Sequence, residues 1–153
     1  MRAISNSSPL IALDKIHKLE LLRDLFSTVT VPPAVALETA PTVKLPSWIE
    51  VHPFTLMVDS RAVRSSFGPG ESEAISLSLE LRPDRVILDD EPARRLARNL
   101  GLNVIDTLGL LLSAKRHGLI PGLRPQMDAL VATGFFIGPE LYDQVLYLAG
   151  ERS

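Results

Sequence analysis

The chain has 153 residues, 46% hydrophobic and 22% charged, a globular balance that excludes wholesale disorder, collagen and coiled coil. Lysine and arginine number 16 against 18 acids, a net charge of −2, so nothing draws the whole chain to nucleic acid and such binding needs a local basic face. Cysteine is absent and aromatics make up 5%, which excludes disulfides, thiol catalysis and thiolate metal sites and argues against a base-stacking platform.

The apolar stretch at 2–5 reads as a strand ending in Asn6-Ser7-Ser8-Pro9, where Ser8 suits an N-cap and Pro9 a first helical position. Leu10, Ile11 and Leu13 continue as a short helix, and Leu19, Leu22, Leu25 and Phe26 define a second over 18–26. Residues 28–31 are a β-branched strand stopped by Pro32-Pro33, with Val35 to Glu38 in the helix that follows. Between Ala40 and Phe67 prolines interrupt the pattern, leaving a strand at 48–51 and otherwise loop. After Gly68-Pro69-Gly70 the reading is clean again. A helix at 71–81, a strand at 85–88 and a helix ending at Gly101 precede a strand at 103–105. Helices then follow at 107–117, around Leu123 to Val131, and from Pro139 to Leu148.

Short apolar strands alternating with helices predict an α/β fold, a mostly parallel central sheet covered on both faces, in one domain over 1–153. The longest apolar run, Leu108 to Leu112, meets Lys115, Arg116 and His117, so no segment is long enough to cross a membrane. Asn6 to Pro9 interrupts any cleavable leader. The absence of cysteine suits a reducing compartment. A cytoplasmic protein is expected.

Ligands gather beyond the carboxyl ends of parallel strands. Those positions hold Asn6, Ser7 and Ser8, then Asp89 and Asp90, then Asp106 and Thr107. Adjacent carboxylates such as Asp89-Asp90 repel unless a cation intervenes, although capping the next helix explains them equally well. Glu71 and Glu73 open a helix, where acids favour the dipole, and Glu38 ends a short one. Should these acids meet, oxygen ligands without cysteine favour Mg²⁺ or Mn²⁺ over zinc. His17, His52 and His117 have no partner at ligand spacing. Ser7 and Ser8 lack a nucleophile elbow, and Gly68-Pro69-Gly70 lacks the lysine of a phosphate loop. The cluster Arg94, Arg95 and Arg98 is explained mostly by pairs with Asp90 and Glu91 one turn away.

The order of these stretches resembles the PIN-domain superfamily, most closely its DUF3368 subfamily. The resemblance is carried by residues 4–13, Val31-Pro32-Pro33-Ala34-Val35 through Glu38, Gly70-Glu71-Ser72-Glu73-Ala74-Ile75, Leu88-Asp89-Asp90 with Ala93-Arg94, 101–105, Thr107-Leu108-Gly109 and the tail to Leu148. It implies a three-layer α/β/α sandwich and a Mg²⁺- or Mn²⁺-dependent ribonuclease. It further implies the toxin of a toxin–antitoxin pair, with RNA as substrate, a small antitoxin protein as partner and a homodimer as the assembly. Carried over by motif, the metal site falls on Asn6, Glu38, Glu73 and Asp90, with Asp89 beside them; Glu38, Glu73 and Asp90 are the catalytic acids. Ser7, Ser8 and Thr107 are expected to orient water or phosphate, and Arg94 and Lys115 to hold RNA. Two positions depart from the family pattern: Asn6 stands where aspartate is usual, and Pro92 occupies a further acidic position. They motivate the alternative of a degenerate domain that binds RNA or a protein without cleaving. A phospho-acceptor receiver domain ranks last, because its acceptor aspartate would have to be Asp59, which follows no clear strand.

Overall fold

A computed structural model describes residues 1–53 and 67–151 of the chain; Asp59 and most of the prospective loop before Phe67 lie outside them. The first half runs β1 (Arg2–Ser5), α1 (Ser7–Lys15), α2 (Leu21–Leu25), β2 (Thr28–Val31), α3 (Pro33–Thr39) and β3 (Ile49–Val51). The second half runs α4 (Pro69–Leu81), β4 (Arg85–Ile87), α5 (Glu91–Asn99), β5 (Val104–Ile105), α6 (Thr107–Arg116), α7 (Arg124–Ala132) and α8 (Pro139–Leu148).

β1, β2 and β4 are buried from their second residue onward. Strands apolar on both faces need cover on both, which crossover helices supply between parallel neighbours. The five strands are indeed all parallel, in the order β3-β2-β1-β4-β5. Ile4 in the central strand sits beside Thr30 on one side and Val86 on the other.

The two-residue period of a strand divides the core. Ala3 and Ile87 pack with Leu10, Leu22, Leu111, Met127 and Leu146 from α1, α2, α6, α7 and α8. Ile4 turns to Ala74 and Leu77 of α4, and Val86 to Ile75 of α4 and to Ala93 and Ala97 of α5. The result is the three-layer α/β/α sandwich. Each fully buried leucine contributes roughly 1.5–3 kcal/mol. No helix among the described residues is long and apolar enough to cross a membrane.

Local departures from the sequence reading have physical causes. The first helix begins at Ser7 with Asn6 as N-cap, not at Pro9, because the Asn6 N–H is pinned to the Ile87 carbonyl at 3.0 Å and the turn falls at the strand end. The second helix is shorter than 18–26, since His17 takes a left-handed φ of 59° and breaks the chain between α1 and α2. Gly101, with φ 82°, ends α5 as expected.

The sheet grows from β1 out to β3, and the chain then returns to the other side of β1 for β4 and β5. Crossovers therefore diverge between β1 and β4. That divergence opens a crevice at their carboxyl ends, flanked by Asn6 and by Asp89-Asp90.

Candidate functional site

At that crevice lies a hollow of about 360 Å³ whose polar lining is Asn6, Ser7, Ser8, Glu38, Glu71 and Asp90. Asn6 is 5% exposed, and its Oδ1 is buried with no hydrogen-bond partner. It caps α1 in position without a side-chain bond. An unpaired buried acceptor costs about 1–3 kcal/mol, so this oxygen calls for a ligand that the protein itself does not supply.

Glu38 reaches the hollow from the last turn of α3. The Ser7 hydroxyl donates to its Oε2 at 2.5 Å, and the Gly70 N–H donates to its Oε1 at 2.8 Å. A Cβ at position 70 would lie 2.4 Å from that Oε2, so only glycine lets the first turn of α4 approach the carboxylate. Asp90 caps α5, its Oδ2 accepting the Ala93 N–H at 3.1 Å, and its other lone pairs remain on the hollow.

Glu71 completes the acidic cluster. Burial raises its pKa above the usual 4.5, and the nearby charges of Asp90 and Glu38 and a hydrogen bond shared with Asp90 raise it further, against a lowering contribution from the Gly68 N–H. The three helices α1, α4 and α5 all begin at this hollow, through Asn6, Gly68 and Asp90. Their N-terminal N–H groups and dipoles favour an anion there. The site thus joins carboxylates suited to a cation with helix ends suited to a phosphate.

Not every expected site residue arrives here. Glu73 does not line the hollow. Its Oε1 accepts the Ala34 N–H at 2.9 Å, satisfying an orphan donor in the first turn of α3. Residues 71 and 73 lie about 200° apart around a helix, so one crevice cannot receive both. Glu71 was visible in the sequence, and a signal existed for it. It precedes Ile75 by one turn, and Ile75 packs with Val86 and Leu88, the residues leading to Asp90.

Asp89 and Thr107 bind one another instead. Asp89 Oδ1 accepts the Thr107 N–H at 2.8 Å and Oδ2 its hydroxyl at 2.7 Å, with Thr107 fully buried. Burial raises the Asp89 pKa above 3.8 despite both bonds from Thr107. The pair ties the end of β4 to the start of α6. Arg94 does not pair with Asp90; its guanidinium binds Glu91 and, at 2.6 Å, Asp106 Oδ2. Lys115 donates to the Ala149 carbonyl at 2.6 Å and to Glu151 Oε2 at 2.8 Å, which anchors the tail after α8. Both expected RNA contacts are thus occupied within the protein.

The family model described as DUF3368: PIN domain matches residues 2–151. The chain belongs to this family of PIN domains. Among solved structures, a PilT N-terminus domain protein from the hyperthermophilic archaeon Sulfolobus solfataricus P2 superposes on the PIN domain with a TM-score of 0.55. The match covers 74% of this chain and 93% of that one at 21% identity, a likeness of fold. No curated protein matches the sequence. PIN domains form a nuclease-type superfamily, bind RNA and generally use divalent metal ions.

Among the described residues, no three Asp, Glu, His or Cys side chains are grouped to hold an ion as they stand. Glu38 rests on Ser7 and Gly70, while Glu71 and Asp90 share a hydrogen bond. The donor set of this PIN domain nonetheless fits a hard cation. It offers oxygen alone, from the unpartnered Asn6 Oδ1 and three carboxylates around one hollow.

Proposed function

We propose that this PIN domain is a Mg²⁺- or Mn²⁺-dependent ribonuclease whose ion is held by Asn6, Glu38, Glu71 and Asp90. The observation that carries the reading is the buried, unpartnered Oδ1 of Asn6, a residue lining a hollow shared with three carboxylates. A bound divalent ion supplies Lewis-acid stabilisation of phosphoryl oxygens and acidifies water. The protein's part is placement. Ser7 and the Gly70 N–H orient Glu38, and the N–H groups opening α1, α4 and α5 receive the phosphodiester. Water adds to phosphorus, and the bond to one sugar oxygen breaks as that oxygen takes a proton.

The direct test incubates a pool of structured RNA with the protein in Mg²⁺, Mn²⁺ or EDTA, with Asp90→Ala in parallel. Cleavage that requires metal and disappears in the variant supports the reading. Intact RNA with well-folded wild-type protein overturns it. The second reading, a binder that does not cleave, is favoured by the amide at position 6, which withholds a charge from the ion. Asn6→Asp is expected to tighten Mn²⁺ binding about tenfold, read by calorimetry, and unchanged affinity would place the ion elsewhere.

Gly70→Ala separates geometry from stability. The new methyl meets the end of a flexible side chain, so Glu38 swings away at little cost in melting temperature. Activity is expected to fall about 10–100-fold. Gly68→Ala, with nothing within 4 Å of the added carbon, serves as the comparison and should leave the rate nearly unchanged.

The family resemblance supports assigning the chain as the toxin of a toxin–antitoxin pair, neutralised by a small protein and assembled as a homodimer. Apolar side chains left exposed on the last two helices, Val131, Leu141, Tyr147 and Leu148, offer a surface for such partners. Light scattering of the purified protein tests the dimer.

A further inference from the structure

A second hollow of about 190 Å³ adjoins the first. The two share Ser8 and Ile11, so they form one groove leading from the acidic cluster along α1. Ser8, Ile11 and Lys15 lie on a single helical face, at spacings of three and four. Ser8 and Lys15 are separated by about 10 Å along the axis. The opposite wall comes from Thr133 to Phe135, where the chain leaves α7.

Among the described residues, Lys15 is the only charged one lining this second hollow. It is exposed, and among the described residues no hydrogen bond or ion pair engages its ammonium. Arg94 and Lys115, by contrast, are tied to acids within the protein. The acidic cluster repels the backbone of a nucleic acid wherever no cation intervenes, so a strand seated there gains most from a positive charge just beyond it. Lys15 stands at that place, its ammonium unpaired among the described residues and carried on a flexible stem. Phe136, next in sequence to the lining residue Phe135, is 88% exposed, an aromatic side chain on which a base can stack.

The geometry points to this groove as the path of single-stranded RNA leaving the site, with the Lys15 ammonium holding a backbone phosphate. The inference rests on the ribonuclease reading above and extends it to the path the strand takes past Lys15. A hollow of about 190 Å³ has room for the backbone of one strand. Lys15 is a positioning residue here, since it touches the strand away from the reacting phosphorus.

The test measures fluorescence anisotropy of a labelled single-stranded oligoribonucleotide with the full chain, over a salt series, in EDTA and in Ca²⁺. Lys15→Ala and Lys15→Glu are compared with Arg82→Glu. Arg82 follows the C-terminal end of the 13-residue α4, at the opposite end of that helix from the site. Lys15→Glu should weaken binding about 5–10-fold, and Lys15→Ala should lower the salt slope by about 0.7. Arg82→Glu should change neither by as much. In the cleavage assay KM should rise while kcat is held. Affinity and slope unchanged in both Lys15 variants, in a protein that still cleaves RNA, overturn the groove and leave the nuclease standing. An equal loss in Arg82→Glu reduces the effect to general charge and also overturns it. A protein that neither binds nor cleaves RNA refutes both readings. Loss of a protein partner alone in Lys15→Glu would reassign the groove to that partner.

Discussion

Glu71→Gln is expected to lower metal-dependent cleavage at least a hundredfold, while Glu73→Gln leaves kcat/KM within about threefold of wild type. Glu71 shares the hollow with Asp90 and Glu38. Losing its charge removes several kcal/mol of attraction for a divalent ion. Glu73 instead accepts the Ala34 N–H, and truncating it to alanine should cost about 1.5–3 kcal/mol of stability, the range for a bond to a charged group. Glu71→Gln therefore carries a catalytic penalty and Glu73→Ala a structural one. Parallel kinetics and thermal melts decide the matter: a catalytic loss in Glu73→Gln equal to that in Glu71→Gln would return the site to the residue that the family resemblance implies.

The pH behaviour of Glu71 follows from the same geometry. Its folded-state pKa is raised from 4.5 by burial and by its acidic neighbours. The folded state then binds more protons than the unfolded one between 4.5 and the raised value. Stability contributed by this group falls as pH rises through that window, and the penalty is complete above it. Metal-free Glu71→Gln should consequently melt above metal-free wild type at neutral pH, with the gap closing as pH falls toward 4.5. Metal binding to wild type should strengthen with rising pH across the window, because the ion competes with a proton. Melting curves in EDTA at several pH values read the first effect, and metal titrations the second.

Asp90→Asn and Asp90→Ala should both reduce cleavage by more than a hundredfold, but they should differ in stability. The aspartate caps α5 through the Ala93 N–H. Asparagine is an equally good cap and keeps that bond, whereas alanine loses it at about 0.5–2 kcal/mol. Asp90→Asn therefore removes the charge with little change in melting temperature, and only Asp90→Ala should melt earlier. Activity retained in the well-folded asparagine variant would show that position 90 acts through its cap alone.

Much of the architecture was legible because burial leaves a pattern. The all-apolar core of β4 and the β-branched run of β2 announce strands covered on both faces, and the spacing of Ala93, Leu96, Ala97 and Leu100 announces α5. Asp90 was readable both as a cap and as an acid at the crevice, since strand ends and helix starts coincide there. The start of α1 was less legible. A proline favours the first turn by its fixed φ, but the Asn6 N–H is held by Ile87, a bond across 81 positions that no local pattern encodes.

The sequence by itself determined that this is an α/β domain with polar and acidic groups at the carboxyl ends of its strands, because periodicity and strand-end position are local properties. Its family membership was also readable from the order of its motifs. Only the tertiary structure decided which acid of the Glu71/Glu73 pair meets Asp90, and which cations are already neutralised. Glu38 with Gly70 and Glu73 with Ala34 are contacts between α3 and α4, and Lys115 with Glu151 joins α6 to the chain end. A carboxylate's role depends on which donors and charges surround it in three dimensions. Those neighbours come from distant segments, brought together only when the layers pack.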